Sequence, residues 1–162
     1  MLASKARLAA LLVALVGLVA APAAQASDAG LRKVVKRQEA KVAPLAKAFA
    51  EADKAVQSAE DLPAAAQAAA DFRKGLAGYK KAITPIKTQS TKSKQGKKLL
   101  LTAIREFDLG LVEYNNLIGK AGTDPSNAEI KASLKTINKR IAEAAEDETD
   151  ALALLGFKTE GS

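Results

Sequence analysis

The sequence predicts an all-α fold, an up-down-up-down antiparallel four-helix bundle that follows an N-terminal signal peptide. Three observations predict it. Alanine, lysine and leucine, which favour helix, dominate the chain after its first 26 residues. Apolar residues recur in steps of three and four along four segments, and turn-forming residues separate those segments. We expect one alanine-rich domain whose helices pack like those of a coiled coil.

The N-terminus has the three-part layout of a secretory signal peptide. A short basic segment precedes the uninterrupted apolar run 8–21, and Ala24 and Ala26 are small residues of the kind that signal peptidase accepts. The run is shorter than the roughly 20 residues that span a bilayer, which favours cleavage over a membrane anchor. We therefore expect removal of residues 1–26, leaving a secreted or periplasmic domain, 27–162, without a transmembrane segment.

Four series of apolar residues define the predicted helices. Each series places an apolar stripe on one helix face at the 3.5-residue spacing of bundle seams. The first series includes Val35, Val42, Phe49 and, at a polar position, Gln38. The fourth includes Ile137 and, also at a polar position, Glu148. The predicted helices cover about residues 29–59, 63–87, 95–120 and 125–155. No segment alternates with a period of two, so the sequence predicts no strands.

Turn-forming residues mark the predicted boundaries. Asp61 and Pro63 are typical of an N-cap followed by proline in the first helical turn. Gly156 lies just beyond the last stripe residue, where a helix commonly ends. The polar segment 88–96 contains no large apolar residue, and we interpret it as a loop with frayed helix ends. Pro44 lies inside the first predicted helix and should either kink it or divide it.

Folding the stripes about their short connections predicts which residues meet in the core. The predicted layer near mid-height consists of Phe49, Phe72, Phe107 and Ile137. Tyr79 should lie level with small residues such as Ala144, because a closely packed core alternates large and small side chains.

Missing residue types exclude most catalytic and cofactor chemistry. The chain has no histidine and no cysteine, and its single methionine is Met1. Disulfides are impossible, and haem, di-iron and zinc sites lack their usual ligands, as does histidine-dependent nucleophilic catalysis. We interpret Glu106, Asp108 and Glu113 as a solvated helix face with ion pairs. The expectation is a protein that is not an enzyme and takes no cofactor or metal.

The charge distribution provides the candidate binding surface. Without Lys5 and Arg7, the 25 basic residues fall to 23 against 18 acidic ones, a net charge of +5. Antiparallel topology would gather this excess at one end of the bundle. The predicted centre is a loop of residues 92–98, with four lysines in seven positions. The candidate anion-binding residues are Arg32, Lys33, Lys36, Arg37, Lys92, Lys94, Lys97 and Lys98.

The basic end supports two interpretations. It could bind an anionic envelope polymer or lipid headgroups; nucleic acid is disfavoured, because aromatic side chains for base stacking are missing. Alternatively, the acidic residues between Glu143 and Asp150 neutralise the basic starts of the first and third helices.

Three functional hypotheses follow. The first is a secreted or periplasmic non-enzymatic binding protein of the cell envelope. The second is a scaffold that self-associates through the third helix, whose extra apolar residues widen its apolar surface. Those residues are Leu99, Leu101, Leu109, Val112 and Leu117. The third is a small-ligand carrier or an enzyme of unrecognised type.

Overall fold

Four α-helices account for most of the residues that the structure describes. The computed structural model describes residues 26–56, 59–121 and 127–158. The helices are α1 (Ala26–Ala55), α2 (Leu62–Ile83), α3 (Thr91–Ala121) and α4 (Asn127–Leu154), and a 3-10 turn, Ala59–Asp61, precedes α2. The described ranges contain no β-strand, so the all-α prediction is confirmed. Residues 1–25 of the predicted signal peptide lie outside the described residues.

None of the described helices combines the length and the apolar character that crossing a membrane requires.

The start of α3 differs from the prediction. The helix begins at Thr91, because the hydroxyl oxygen of Ser90 accepts a 3.2 Å hydrogen bond from the backbone N–H of Ser93. This bond satisfies one of the free donors at the helix start. The prediction of a loop over 88–96 was therefore wrong from Thr91 onward, and the lysines of 92–98 lie on the first turns of a helix.

The start of α2 and the end of α4 can be compared with the turn-forming residues that predicted them. Pro63 lies in the first turn of α2, as predicted, but the side chain of Asp61 makes no capping hydrogen bond. Gly156 ends α4 with a φ of +81°. There the N–H of Phe157 donates to the Leu152 carbonyl at 3.0 Å, and the N–H of Gly156 donates to the Ala153 carbonyl at 2.9 Å. These two bonds form the Schellman motif, which confirms the predicted helix end.

Pro44 does not divide α1. The helix continues from Ala26 to Ala55 with the proline inside it. Pro44 and Ala40 are both exposed, so water can bind the Ala40 carbonyl that lacks a helical donor.

Phenylalanines from three helices meet in the hydrophobic core. The ring centroid of Phe72 in α2 lies 6.3 Å from that of Phe49 in α1 and 6.1 Å from that of Phe107 in α3. All three rings are buried. These contacts agree with the predicted mid-height layer for α1, α2 and α3.

The fourth helix lies about two turns from its predicted register. A Cβ atom at Gly110 would lie 3.0 Å from Cγ1 of Ile141. Arg140 contacts Glu106 at 2.5 Å and Glu113 at 3.3 Å. These contacts bring Ala144, rather than Ile137, to the level of Phe107, so the predicted layers were wrong for α4.

Candidate functional site

An open basic groove lies between the end of α2 and the start of α3. Its volume is about 570 Å³. The basic side chains that line it are Lys80, Lys94, Lys97, Lys98 and Arg105. Thr84, Thr88 and Thr102 add hydroxyl groups and Leu101 adds an apolar wall, whereas no carboxylate is among the described lining residues. The arrangement favours an anionic ligand that also accepts hydrogen bonds.

Lys97 fixes the connection that forms one wall of the groove. Its ammonium group donates to the carbonyl oxygen of Thr84 at 2.7 Å and to that of Ile86 at 2.6 Å. Carbonyls at a helix end lack helical donors, and a positive charge there is favourable. Lys97 therefore holds the end of α2 against α3 and adds positive charge to the groove.

Three lysines of the groove are available to a ligand. Lys80, Lys94 and Lys98 are exposed, and no described carboxylate forms an ion pair with any of them. Lys94 and Lys98 lie one turn apart on the same face of α3. Arg105 differs, because its Nη2 atom contacts Oε1 of Glu106 at 2.7 Å.

The structure divides the predicted candidate residues. Lys94, Lys97 and Lys98 line the groove, whereas the exposed Lys92 does not. The α1 candidates Arg32, Lys33, Lys36 and Arg37 are also absent from its walls. Three of these four are exposed, and Arg32 is half-buried. A Cβ atom added at Gly156 would lie 2.9 Å from Nη2 of Arg32, so this guanidinium packs on the end of α4.

Sequence reasoning did not assign Lys80 or Arg105 to the site. Lys80 lies in the last turn of α2, and Arg105 lies beyond the basic segment 92–98. A predicted helix over residues 91–105 would have placed Lys94, Lys98 and Arg105 on one face. The incorrect loop prediction removed that signal.

Asp28 joins the start of α1 to the start of α3. Its carboxylate accepts a 3.1 Å hydrogen bond from the backbone N–H of Gln89, and Asp28 is only 4 % exposed. Hydrogen bonds from the Ser90 side chain, and then from Gln89, lower the pKa of Asp28. The basic start of α1 therefore lies at the same end of the protein as the groove.

A second cluster of titratable groups lies inside the core. The hydroxyl of Tyr79 donates a 2.5 Å hydrogen bond to Oε1 of Glu39. Glu39 is 2 % exposed and Glu148 is 8 % exposed. Burial raises the pKa of Glu39 to about 7, although the bond from Tyr79 opposes the rise. Burial, and then the charge of Glu39, raise the pKa of Glu148.

The three acidic side chains of α3 form ion pairs near the surface. Asp108 accepts a 2.7 Å bond from Nε of Arg73, and Glu106 and Glu113 both contact Arg140. The interpretation of these residues as an ion-paired helix face is confirmed.

In the part of the chain that the structure describes, no three acidic residues are placed to hold a metal ion. Comparisons with protein families, with curated proteins and with solved structures found no match to this chain.

Proposed function

We propose that this chain is an exported, non-enzymatic binding protein of the cell envelope. Its ligand is an anionic group of an envelope polymer or lipid headgroup, and phosphate is the chemistry that the groove suits best. The supporting observation is that Lys80, Lys94 and Lys98 line one groove without carboxylate partners among the described residues. Three ammonium groups beside threonine hydroxyls provide both charge and hydrogen-bond donors to phosphate oxygens. Cleavage after Ala26 remains part of this proposal.

We infer an up-down-up-down antiparallel bundle. Two contacts for each pair of helices support this topology: Tyr79 with Glu39 and Phe72 with Phe49 for α2 and α1, Arg73 with Asp108 and Thr84 with Lys97 for α2 and α3, and Gly96 with Leu155 and Gly110 with Ile141 for α3 and α4. In each pair of helices, the residue numbers of the contacts increase along one helix as they decrease along the other. Such a bundle places the groove, the start of α1 and the end of α4 at one end.

The alternative of internal charge matching receives less support. No ion pair among the described residues joins the basic start of α1 to the acidic end of α4. Glu143, the one acid between Glu143 and Asp150 with an ion pair, contacts Lys139 of its own helix at 3.6 Å. Lys80, Lys94 and Lys98 therefore remain available to a ligand, whereas Lys97 is bound to backbone carbonyls.

The scaffold hypothesis depends on an exposed apolar surface of α3, and the structure gives that surface little support. Leu99, Leu101 and Leu117 are half-buried and pack against the core. Leu109, at 40 % exposure, is the only large hydrophobic side chain exposed in the described ranges. A single leucine does not make an apolar patch of the size that marks a protein interface.

A pair of isoelectric variants tests the groove. The first carries Lys80→Gln, Lys94→Gln and Lys98→Gln. The matched control carries Lys47→Gln, Lys54→Gln and Lys135→Gln, three exposed lysines that do not line the groove. Both variants lose three charges, so a difference between them reports position rather than net charge. Cosedimentation is measured with vesicles containing phosphatidylglycerol and, separately, with phosphodiester wall polymer.

We expect the wild-type protein to bind at low salt and to dissociate as salt rises, because exposed charges are screened within about 10 Å at 0.1 M. The groove variant should lose most of this binding, and the control should retain most of it. Equal losses in both variants would contradict the proposal. Binding to vesicles alone, or to polymer alone, would identify the source of the phosphate.

A further inference from the structure

We propose that Glu39 and Glu148 form a proton-binding switch between α1 and α4, which holds these helices together when protonated and loosens their contact when both carboxylates are charged. The switch does not depend on the groove or its ligand. It arises from two carboxyl groups placed in a core whose described residues provide no basic partner.

The two carboxyl groups receive one described hydrogen bond between them. Tyr79 donates to Oε1 of Glu39 at 2.5 Å, whereas Oε2 of Glu39 is buried without a described hydrogen-bond partner. Glu148 is 92 % removed from solvent, and no described hydrogen bond reaches it. Two buried carboxylates with one donor between them cannot both stay ionised without a large cost. A proton on at least one of them removes the mutual repulsion and supplies a second donor.

Each helix contributes to the surroundings of the pair. Helix α2 contributes Tyr79, and the register places Leu100 and Ala103 of α3, both apolar and buried, at the same level. Arg32 is the half-buried cation of α1, but its guanidinium packs against Gly156, about two helical turns beyond Glu148. The neighbouring charged residues are Lys36 and Arg37 on α1, Glu146 and Asp147 on α4, and none of them forms an ion pair with either carboxyl group.

The contact between α1 and α4 is the one that such a switch would affect. Close backbone packing joins α1 to α2, α2 to α3 and α3 to α4, and α1 has little comparable packing with α4. Glu39 and Glu148 thus lie between the two helices that fewer other contacts hold together. Charge repulsion there acts against a weaker contact than it would elsewhere in the bundle.

Few other groups contribute to proton binding in the range where this pair titrates. The sequence has no histidine and no cysteine, so no other side chain with an ordinary pKa titrates between pH 5 and 8. Burial also raises the pKa of Asp53, and a variant that lacks only the two glutamates separates their contribution from that of Asp53. The pKa of each buried glutamate is raised, and protonation therefore favours the folded state. For both groups the stabilisation is complete below the ordinary glutamate pKa of 4.5, and the contribution of Glu39 disappears as the pH rises through about 7.

Unfolding equilibria provide the first test. The purified wild-type protein is unfolded with urea at intervals from pH 5 to 8. Its unfolding equilibrium constant should rise about tenfold per pH unit for each proton released. The variant Glu39→Gln with Glu148→Gln keeps the shape of both side chains and should lose this slope. The matched control, Glu51→Gln with Glu146→Gln, changes exposed residues of the same two helices and should keep it.

Distance measurements provide the second test and distinguish loosening of one contact from general destabilisation. Because the chain lacks cysteine, spin labels attach only at introduced sites. Lys36→Cys with Asp150→Cys reports on α1 and α4, and Lys36→Cys with Lys81→Cys reports on α1 and α2. Between pH 5.5 and pH 8, we expect the first distance distribution to lengthen and broaden and the second to stay unchanged.

Specific results would overturn the switch. A wild-type unfolding constant that varies no more with pH than that of the double glutamine variant would do so. Equal broadening of both label pairs, or of neither, would do so as well. Restored stability at pH 8 on addition of millimolar calcium would show that the pair holds a cation instead of a proton.

Discussion

Gly96 of α3 packs directly against Leu155 beyond the end of α4. A Cβ atom at Gly96 would lie 2.9 Å from Cγ of Leu155 and 3.1 Å from the carbonyl oxygen of Ala151. The side chain of Leu155 could rotate, but the backbone carbonyl of Ala151 is fixed within the helix. The close approach of α3 and α4 beside the basic groove therefore depends on the absence of a side chain at position 96.

We expect Gly96→Ala to destabilise the protein by about 1–2 kcal/mol, because steric crowding outweighs the gain in helix propensity. The matched control is Gly78→Ala, whose added Cβ would have no neighbour within 4 Å. That change should stabilise the protein by about 0.5–1 kcal/mol. Urea unfolding at one pH measures both effects. Stabilisation by both alanines would show that the two helices are not in such close contact.

The two tyrosines should differ in their contributions to stability. Tyr79 bonds to the buried Glu39, whereas Tyr114 donates a 2.6 Å bond to the half-buried Asp53. Without its tyrosine hydroxyl, Asp53 can be hydrated, but Glu39 cannot. We expect Tyr79→Phe to cost about 1–3 kcal/mol and Tyr114→Phe about 1 kcal/mol or less.

Chemical unfolding of both phenylalanine variants provides the measurement, and the double variant checks that the two losses add. A larger loss for Tyr114→Phe would be inconsistent with the difference in burial of the two carboxylates.

Lys97 and Lys98 are adjacent but should have different roles. Lys97 donates hydrogen bonds to two backbone carbonyls just beyond the end of α2, and Lys98 is an exposed lysine of the groove. We expect Lys97→Met to lower the free energy of unfolding by about 1–2 kcal/mol. Lys98→Met should change it by about 0.5 kcal/mol or less. Thermal unfolding compares the two variants, and equal effects would rule out a structural role specific to Lys97.

The outcome at α4 shows what a repeating pattern can and cannot predict. Its stripe predicted a helix with an apolar face correctly, but a shift of seven residues exchanges Ile137 for Ala144 and still leaves apolar residues inside. The pattern alone therefore could not set the register. The phenylalanines of α1 to α3 are rarer markers, and their predicted contacts agree with the structure.

The candidate site was predicted only in part, for related reasons. Three groove lysines were among the candidates, but α1 residues were grouped with them because charge counting assigns residues to an end and not to a face. Glu39 was missed because Gln38 occupies the stripe position, although both side chains are buried. Burial of two adjacent residues depends on how α2 and α4 pack around α1, which the sequence of α1 does not contain.

The pH of maximum stability follows from groups whose pKa values are shifted in opposite directions. Hydrogen bonds from Ser90 and Gln89 lower the pKa of Asp28, and bonds from Arg105 and then Arg140 lower that of Glu106. Their contributions are present above the ordinary carboxyl values and are lost as the pH falls below 3.8 for Asp28 and 4.5 for Glu106. The pKa values of Glu39 and Glu148 are raised instead, so their contributions to stability are lost as the pH rises above 4.5.

Stability should therefore be greatest near pH 4.5, below the range of about pH 5–8 that is usual for proteins. Asp28→Asn should flatten the acid side of the curve and leave the neutral side unchanged, because the amide cannot become a carboxylate that Ser90 stabilises. The Glu39→Gln and Glu148→Gln variant should flatten the neutral side and move the maximum to higher pH. Thermal midpoints measured from pH 3 to pH 8 give all three curves. A wild-type maximum at pH 7 would show that the buried glutamates do not control stability, because their repulsion should already weaken the fold at that pH.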